Sequence, residues 1–298
     1  MLDFRIETFL EVCKDMNFTK AAQKLNLTQP AVSQHIRWLE ENCGAKLFLY
    51  QGKKLTLTEA GELLKSSAAT MKHDIACLKE KMQESAVKKR ELKMGLTLTI
   101  ADFDAGKSIA SYLMQDEAVS MRISVGNTQE LLKELEEGII DFALVEGNFP
   151  SDIYHHRLYA TERYIPVCGK GDPMAEGTWT LQQLLARRLV TREPGSCTRN
   201  ILERYLEMEN LGVTDFSALV EAGSIGLIKQ LVEYGCGITF LYRTAVKREI
   251  GEGRLCEIHM RDMEITHDFT FIWRENSLFF EDYQKMYELL KQNTEESR

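Results

Sequence analysis

The stretch that most constrains this chain runs from Phe18 to Glu40 and reads as two short helices joined by a tight turn. The first is expected from about Thr19 to Leu25, with Thr19 as its N-cap and Ala21, Ala22 and Leu25 on one small apolar face. Asn26-Leu27 is the turn. Thr28 caps the second helix, and Pro30 falls in its first turn, where a missing N–H costs nothing. Val32, Ile36 and Leu39 are spaced four and three apart and face inward, leaving Gln29, Ser33, Gln34 and Arg37 outside. Gln pairs with adenine N6/N7, Arg with guanine O6/N7, and Ser with a base edge or a phosphate. The paired alanines let the second helix cross the first closely, as a helix-turn-helix requires. A helical hairpin with a merely solvated polar face has the same spacing, so periodicity alone does not separate the two.

Charge distribution bears on that choice. The net charge is −8, which looks wrong for a DNA binder. Between Lys20 and Thr58, however, Lys20, Lys24, Arg37, Lys46, Lys53 and Lys54 face only Glu40 and Glu41. A local basic patch meets phosphates while the acidic remainder limits non-specific sticking. At 44% hydrophobic and 28% charged residues the composition is that of an ordinary globular protein, and its 298 residues allow two or three domains. No apolar run approaches the roughly 18 residues of a membrane span. The acidic, amphipathic start Met1-Leu2-Asp3-Phe4 does not resemble a signal peptide, so the cytoplasm is the expected compartment. The seven cysteines are scattered and show no Cys-x-x-Cys, which argues against a disulfide framework and against a zinc site.

The hairpin carries Ala21-Ala22, Leu25, Thr28-Gln29-Pro30, Val32-Ser33 and Leu39-Glu40. In these positions it resembles the N-terminus of the LysR-type transcriptional regulators. The resemblance implies a multi-domain protein. An N-terminal winged helix-turn-helix and a long linker helix precede an α/β effector domain of two Rossmann-like lobes, similar to periplasmic binding proteins. Expected boundaries are 1–58 for the DNA-binding domain, 59–90 for the linker helix and hinge, 91–161 with 267–298 for lobe I, and 162–266 for lobe II. A first helix over Phe4 to Met16 precedes the hairpin. Gly44 stops the second hairpin helix. Lys46 to Tyr50 and Leu55 to Leu57 read as a two-stranded wing, with Lys53 and Lys54 placed for phosphate contact. Tyr50 and Lys53 stand where the family commonly has Arg, so bidentate Arg contacts are lost there. The expected DNA-contacting set is Thr19, Lys20, Thr28, Gln29, Pro30, Ser33, Gln34, Arg37, Lys53 and Lys54.

Thr58-Glu59-Ala60-Gly61 opens a helix expected to reach Lys88. Leu64, Ala68, Met71, Ile75, Leu78 and Met82 repeat at four and three, a heptad seam. A second copy of the chain is the expected partner, with packing against its own domain the alternative. Lys88-Lys89-Arg90-Glu91 marks the hinge. From Gly95 strands and helices alternate, which signals an α/β domain. A strand is expected over Leu96 to Ala101, a loop over Asp102 to Lys107, and a helix from Ser108. Further strands are expected at Met121 to Val125, Gly138 to Val145 and Tyr164 to Cys168.

This half resembles the family's effector domain through Gly126-Asn127-Thr128, Asp141 to Gly147, Arg192 to Arg199 and Gly235-Cys236-Gly237-Ile238. The continuation through Arg243 and Glu249 is similar to the branch that regulates sulfur assimilation and carbon fixation. Cys197, Tyr242 and His267 replace the Gly, Ser and Arg frequent in that branch. In open α/β sheets, ligands bind beyond the carboxyl ends of the strands, and helix N-termini favour anions. Ser108, Asn127, Thr128, Ser196, Cys197, Thr198 and Arg199 are the expected effector-contacting residues, and a small anion the expected effector. Simple capping explains each Ser or Thr equally well, and a surface role suits Arg199. A thiol at a helix start is reactive in some proteins, so a redox-responsive regulator using Cys197 is an alternative; a buried neutral thiol is the plainer one.

No Gly-x-Ser-x-Gly, P-loop or His-Glu-x-x-His occurs, so no enzyme is expected. His155-His156 reads as an exposed loop pair. A solute-binding protein without DNA function would explain the second half but not the hairpin. No cofactor or metal is expected. The expected partners are double-stranded DNA, a small-molecule effector, a second or fourth copy of the chain, and RNA polymerase; no membrane is among them.

Overall fold

The computed structural model describes residues 2–52, 54–83, 91–115, 119–151, 153–261, 264–275 and 277–295. The N-terminal unit comprises α1 (Phe4–Asp15), α2 (Phe18–Lys24), α3 (Gln29–Cys43), β1 (Phe48–Gln51) and β2 (Lys54–Leu57). The long helix α4 follows (Glu59–Gln83). Phe9, Val12, Ala21, Ala22, Val32, Ile36 and Leu39 form one core under the three helices. The α2 cap differs from expectation. Asn17, not Thr19, accepts the Lys20 N–H, because the helix starts one residue earlier. Thr28 caps α3 by accepting from the Ala31 N–H, and Gly44 ends it at φ +67°. β1 and β2 pair antiparallel from Phe48 opposite Leu57 to Gln51 opposite Lys54. At Gly61 a Cβ would collide with the Leu47 carbonyl, so glycine lets α4 lie directly against the wing.

The second half contains β3 (Glu91–Thr97), α5 (Leu98–Phe103), α6 (Ala105–Gln115), β4 (Ser120–Gly126), α7 (Thr128–Glu137) and β5 (Phe142–Glu146). After it come β6 (Tyr154–Gly169), β7 (Thr178–Trp179), α8 (Leu181–Leu184), β8 (Arg188–Thr191) and α9 (Cys197–Met208). The remainder is β9 (Ala218–Glu221), α10 (Ile225–Glu233), β10 (Thr239–Tyr242), α11 (Arg243–Gly251), β11 (Leu255–Glu257), β12 (His259–Met260), β13 (Ile265–Arg274) and α12 (Phe280–Glu295).

One sheet runs β10-β6-β13-β5-β3-β4, with β11 also on β6. β3 is parallel to β4 and β5, whereas β13 is antiparallel to both β5 and β6. β6 and β13 therefore pass through both lobes. Their register shifts between Phe269 and Thr270, which face Ala160 and Leu158 and leave Tyr159 as an extra residue. In the second lobe β8 and β9 run parallel, and Leu189 bridges to Ile238 at the start of β10.

Three expectations are corrected here. The strand expected over Leu96 to Ala101 ends at Thr97, and the expected loop at Asp102 to Lys107 is helical. Leu98 and Phe103 of α5 pack on the core of the second lobe, where Lys229 lies 4.5 Å from the Phe103 ring centre. His155 and His156 lie within β6, not in a loop, and His155 stacks on Trp273. The expected hinge at Lys88 to Arg90 lies outside the described residues.

Candidate functional site

Two surfaces matter: the outer face of α3 with the wing, and the cleft between the lobes. On the first, Thr19, Lys20, Thr28, Gln29, Pro30, Gln34, Arg37 and Lys54 are all exposed, and Ser33 is half-exposed. Gln29 donates from Nε2 to Ser33 Oγ at 2.9 Å, which fixes two of these polar groups side by side one turn apart. Lys53 lies outside the described residues. Behind this face, Thr8 Oγ1 and His35 Nδ1 meet at 3.0 Å and lock α3 to α1.

The seam on α4 divides. Leu64 and Ala68 belong to the N-terminal core, so they serve their own domain. Met71, Leu78 and Met82 stay exposed, and Ile75 is half-buried. The adjacent face of α4, carrying His73, Asp74 and Cys77, packs on the first lobe. Asp74 accepts from Ser277 Oγ and from the Leu278 N–H, both at 2.7 Å.

The cleft brings two helix starts together. Asn127 caps α7 in a reciprocal box with Glu130. Thr128 donates to the Glu146 carbonyl and stands 3.4 Å from Cys197 Sγ across the gap. Gly147 (φ +101°) lies beneath, where a Cβ would press on the Cys197 sulfur at 3.3 Å. Unlike Asn127, Ser196 makes no side-chain cap, so the first-turn N–H groups of α9 have no hydroxyl to receive them. Thr198 is buried and its Oγ1 has no hydrogen-bond partner among the described residues.

Two expected effector residues take other roles. Ser108 lies inside α6 and is buried against Tyr159, whose hydroxyl donates to it at 3.4 Å; it is not the helix N-cap, because α6 begins at Ala105. Arg199 is buried and committed to Glu203, Glu221 and the Arg192 carbonyl. Its charge holds the β8–α9 connection in place rather than facing the cleft.

The residue that sequence reasoning missed is Glu146. It ends β5, a strand buried along its whole length, and is itself only 3% exposed. Burial pushes its carboxyl up to about 7. Tyr242, Thr99 and Thr97 surround it and, with Arg192, oppose that rise. These contacts are loose: Glu146 Oε2, the Tyr242 hydroxyl and the hydroxyls of Thr97 and Thr99 complete no well-aligned hydrogen bond among the described residues. Buried polar atoms are normally paired, so this group of neighbouring oxygens at the cleft end of β5 has hydrogen-bonding capacity to spare. A carboxylate closing an otherwise apolar run, Phe142-Ala143-Leu144-Val145, was the available signal.

Residues 85–295 match the LysR substrate binding domain, and residues 5–62 match the bacterial regulatory helix-turn-helix protein, lysR family. The chain belongs to the LysR family. It is a DNA-binding transcriptional regulator with an effector-binding domain, not an enzyme. CfxR of Cupriavidus necator is 31% identical over 261 residues, covering 84% of this chain and 78% of that protein. The uncharacterised regulator YeiE of Escherichia coli is 29% identical over 254 residues, 85% of each chain. Among solved structures, full-length LysG from Corynebacterium glutamicum superposes with a TM-score of 0.68 at 16% identity, over 99% of both chains. OxyR of the same organism, as its C206 mutant, gives 0.62 at 22% identity over 98% of this chain and 91% of that one. At those identities the structures show the fold. The solute-binding alternative is set aside, since the family's DNA-binding domain is present. No described helix is long and apolar enough to cross a membrane.

Proposed function

We propose that this LysR-type regulator holds an interrupted palindrome as a dimer and responds to a small anionic effector in the interlobe cleft. Gln29, Ser33, Gln34 and Arg37 read the major groove, while Lys20 and Lys54 meet phosphates. The exposed Met71, Leu78 and Met82 support pairing with a second copy along α4. Family membership extends this to a tetramer in the cytoplasm that contacts RNA polymerase.

The observation that carries the effector half is the uncapped start of α9 beside the orphaned oxygen of Glu146. A protonated Glu146 donates a hydrogen bond to an anion resting on the α9 N–H groups. An ionised Glu146 repels it. Affinity for the anion is therefore highest below pH 6 and falls as the pH rises through about 7, the value burial sets for that carboxyl. The similar LysG structure carries a bound arginine effector, which supports a small polar ligand.

A thermal-shift screen of sulfate, phosphate and small carboxylates at pH 6 and pH 8 tests this. Stabilisation by an anion should need about tenfold more ligand at pH 8. A ligand that binds only as a cation, and better at pH 8, would overturn the anionic assignment. Separately, Arg37→Ala should weaken binding to DNA flanking the gene by about 1–3 kcal/mol with effector affinity unchanged. Equal loss of both would refute the division of labour between the two halves.

A further inference from the structure

A second buried polar cluster lies where α4 meets the first lobe, remote from the cleft. His73 and Cys77 are four residues apart on α4 and leave the same face of the helix. Asp141, just before β5, meets them. His73 Nε2 stands 3.0 Å from Asp141 Oδ1 and 3.2 Å from Cys77 Sγ, and Sγ stands 4.0 Å from the same oxygen. A tetrahedral divalent ion with bonds of about 2.0–2.3 Å holds its ligand atoms roughly 3.3–3.6 Å apart. The three observed separations bracket that range.

The outer sides of these groups are already held. Asp141 Oδ2 accepts from the Lys93 N–H at 2.9 Å, which leaves Oδ1 directed inward. His73 Nδ1 lies 3.3 Å from the Gly138 carbonyl, which only accepts, so Nδ1 carries a proton. Gly138 turns there at φ +72°, ending α7 with its carbonyl beside the ring. Nε2 then lies 3.0 Å from a carboxylate oxygen and 3.2 Å from the Cys77 sulfur, on the side of the ring turned away from Gly138. An imidazole anchored through Nδ1–H to a carbonyl and presenting Nε2 is the outer-shell arrangement of metal-bound histidine.

We infer that His73 Nε2, Cys77 Sγ and Asp141 Oδ1 form a zinc-class divalent metal site that fastens the linker helix to the effector domain. Nitrogen, thiolate and carboxylate donors together suit zinc. Loading requires the thiol to lose its proton and Nε2 to offer its lone pair, so metal binding is coupled to proton release. The Tyr283 hydroxyl stands 3.4 Å from Nε2, and water takes the fourth corner. Cys77, only half-buried, marks the route of entry. Ligands from α4 and from the lobe make the ion a clamp across the joint through which the effector domain addresses the DNA-binding domain.

Full-length protein stripped with EDTA and titrated with cobalt(II) tests the site. One equivalent should give a thiolate-to-cobalt charge-transfer band and the d–d bands of a four-coordinate ion, both erased by zinc(II). Cys77→Ser should lose the charge-transfer band and bind cobalt on the order of tenfold or more weakly, while Cys197→Ser keeps both. No charge-transfer band at saturation, or the same band in Cys77→Ser, would overturn the assignment. Should Cys77→Ser not fold, the wild-type protein decides. Zinc(II) should shield Cys77 from iodoacetamide, read by peptide mass, and equal labelling with and without zinc would overturn the site.

Discussion

Asp141 and Glu146 stand at opposite ends of the same short strand, and both are buried, yet their surroundings differ in kind. At the linker end, protein groups hold the outer sides of the buried polar residues. Asp141 is held by Lys93 and His73, and Asp74 by Ser277 and Leu278. At the cleft end, Glu146 Oε2 and the three hydroxyls around it complete no well-aligned hydrogen bond among the described residues. The first arrangement fixes a joint. The second leaves polar atoms with spare capacity, and a buried acceptor left unpaired costs on the order of 1–3 kcal/mol. The strand between them, β5, is wholly buried and so transmits position from one end to the other.

The contrast can be broken first at the linker end. Asp74→Ala strips the acceptor from two buried donors and should cost about 3–4 kcal/mol in urea unfolding. A loss below about 1 kcal/mol would mean that the joint is not held as described. At the cleft end the sign reverses. Glu146 titrates near 7 in the folded chain against an ordinary value of 4.5. The folded state therefore binds the extra proton, and wild-type stability falls as pH rises from about 4.5 through 7. Glu146→Gln should thus be more stable than wild type at pH 8 by about 2–3 kcal/mol, with little difference at pH 4.5. A variant uniformly less stable at both pH values would place Glu146 among the structural carboxylates. The smallest effect is expected at Phe103, which anchors α5 to the second lobe. Phe103→Ala should cost about 1–2 kcal/mol and weaken effector binding without altering the linker joint.

Legibility in the sequence followed the range of the interactions. The helix-turn-helix rests on local signals, namely Thr28, Pro30, Gly44 and the spacing of Val32, Ile36 and Leu39, and it folds where those place it. The α2 cap was misplaced by two residues because Asn17 and Thr19 are both good caps and only the helix start decides. The first half of β6 was missed because an antiparallel strand with one wet face, Tyr154 to Arg163, reads like a polar loop. The α5 helix was read partly as strand because a short apolar run carries no decisive period. The cleft was legible as two helix starts, Asn127-Thr128 and Ser196-Cys197-Thr198, but not its buried acid. The meeting of His73, Cys77 and Asp141 has no local signal, because 64 residues separate Cys77 from Asp141 along the chain.

The register shift in the β6–β13 ladder sets how such a protein moves. Both strands run unbroken through the two lobes, so no flexible connector exists there to absorb a change in cleft angle. The register shift at Tyr159 is where the ladder can twist, and the Tyr159 hydroxyl is tied to Ser108 in the first lobe. A ligand bound in the cleft as proposed would therefore work against a torsion spring rather than a swinging door. The stroke is short, and its amplitude is metered by how far one extra residue lets two strands wring against each other.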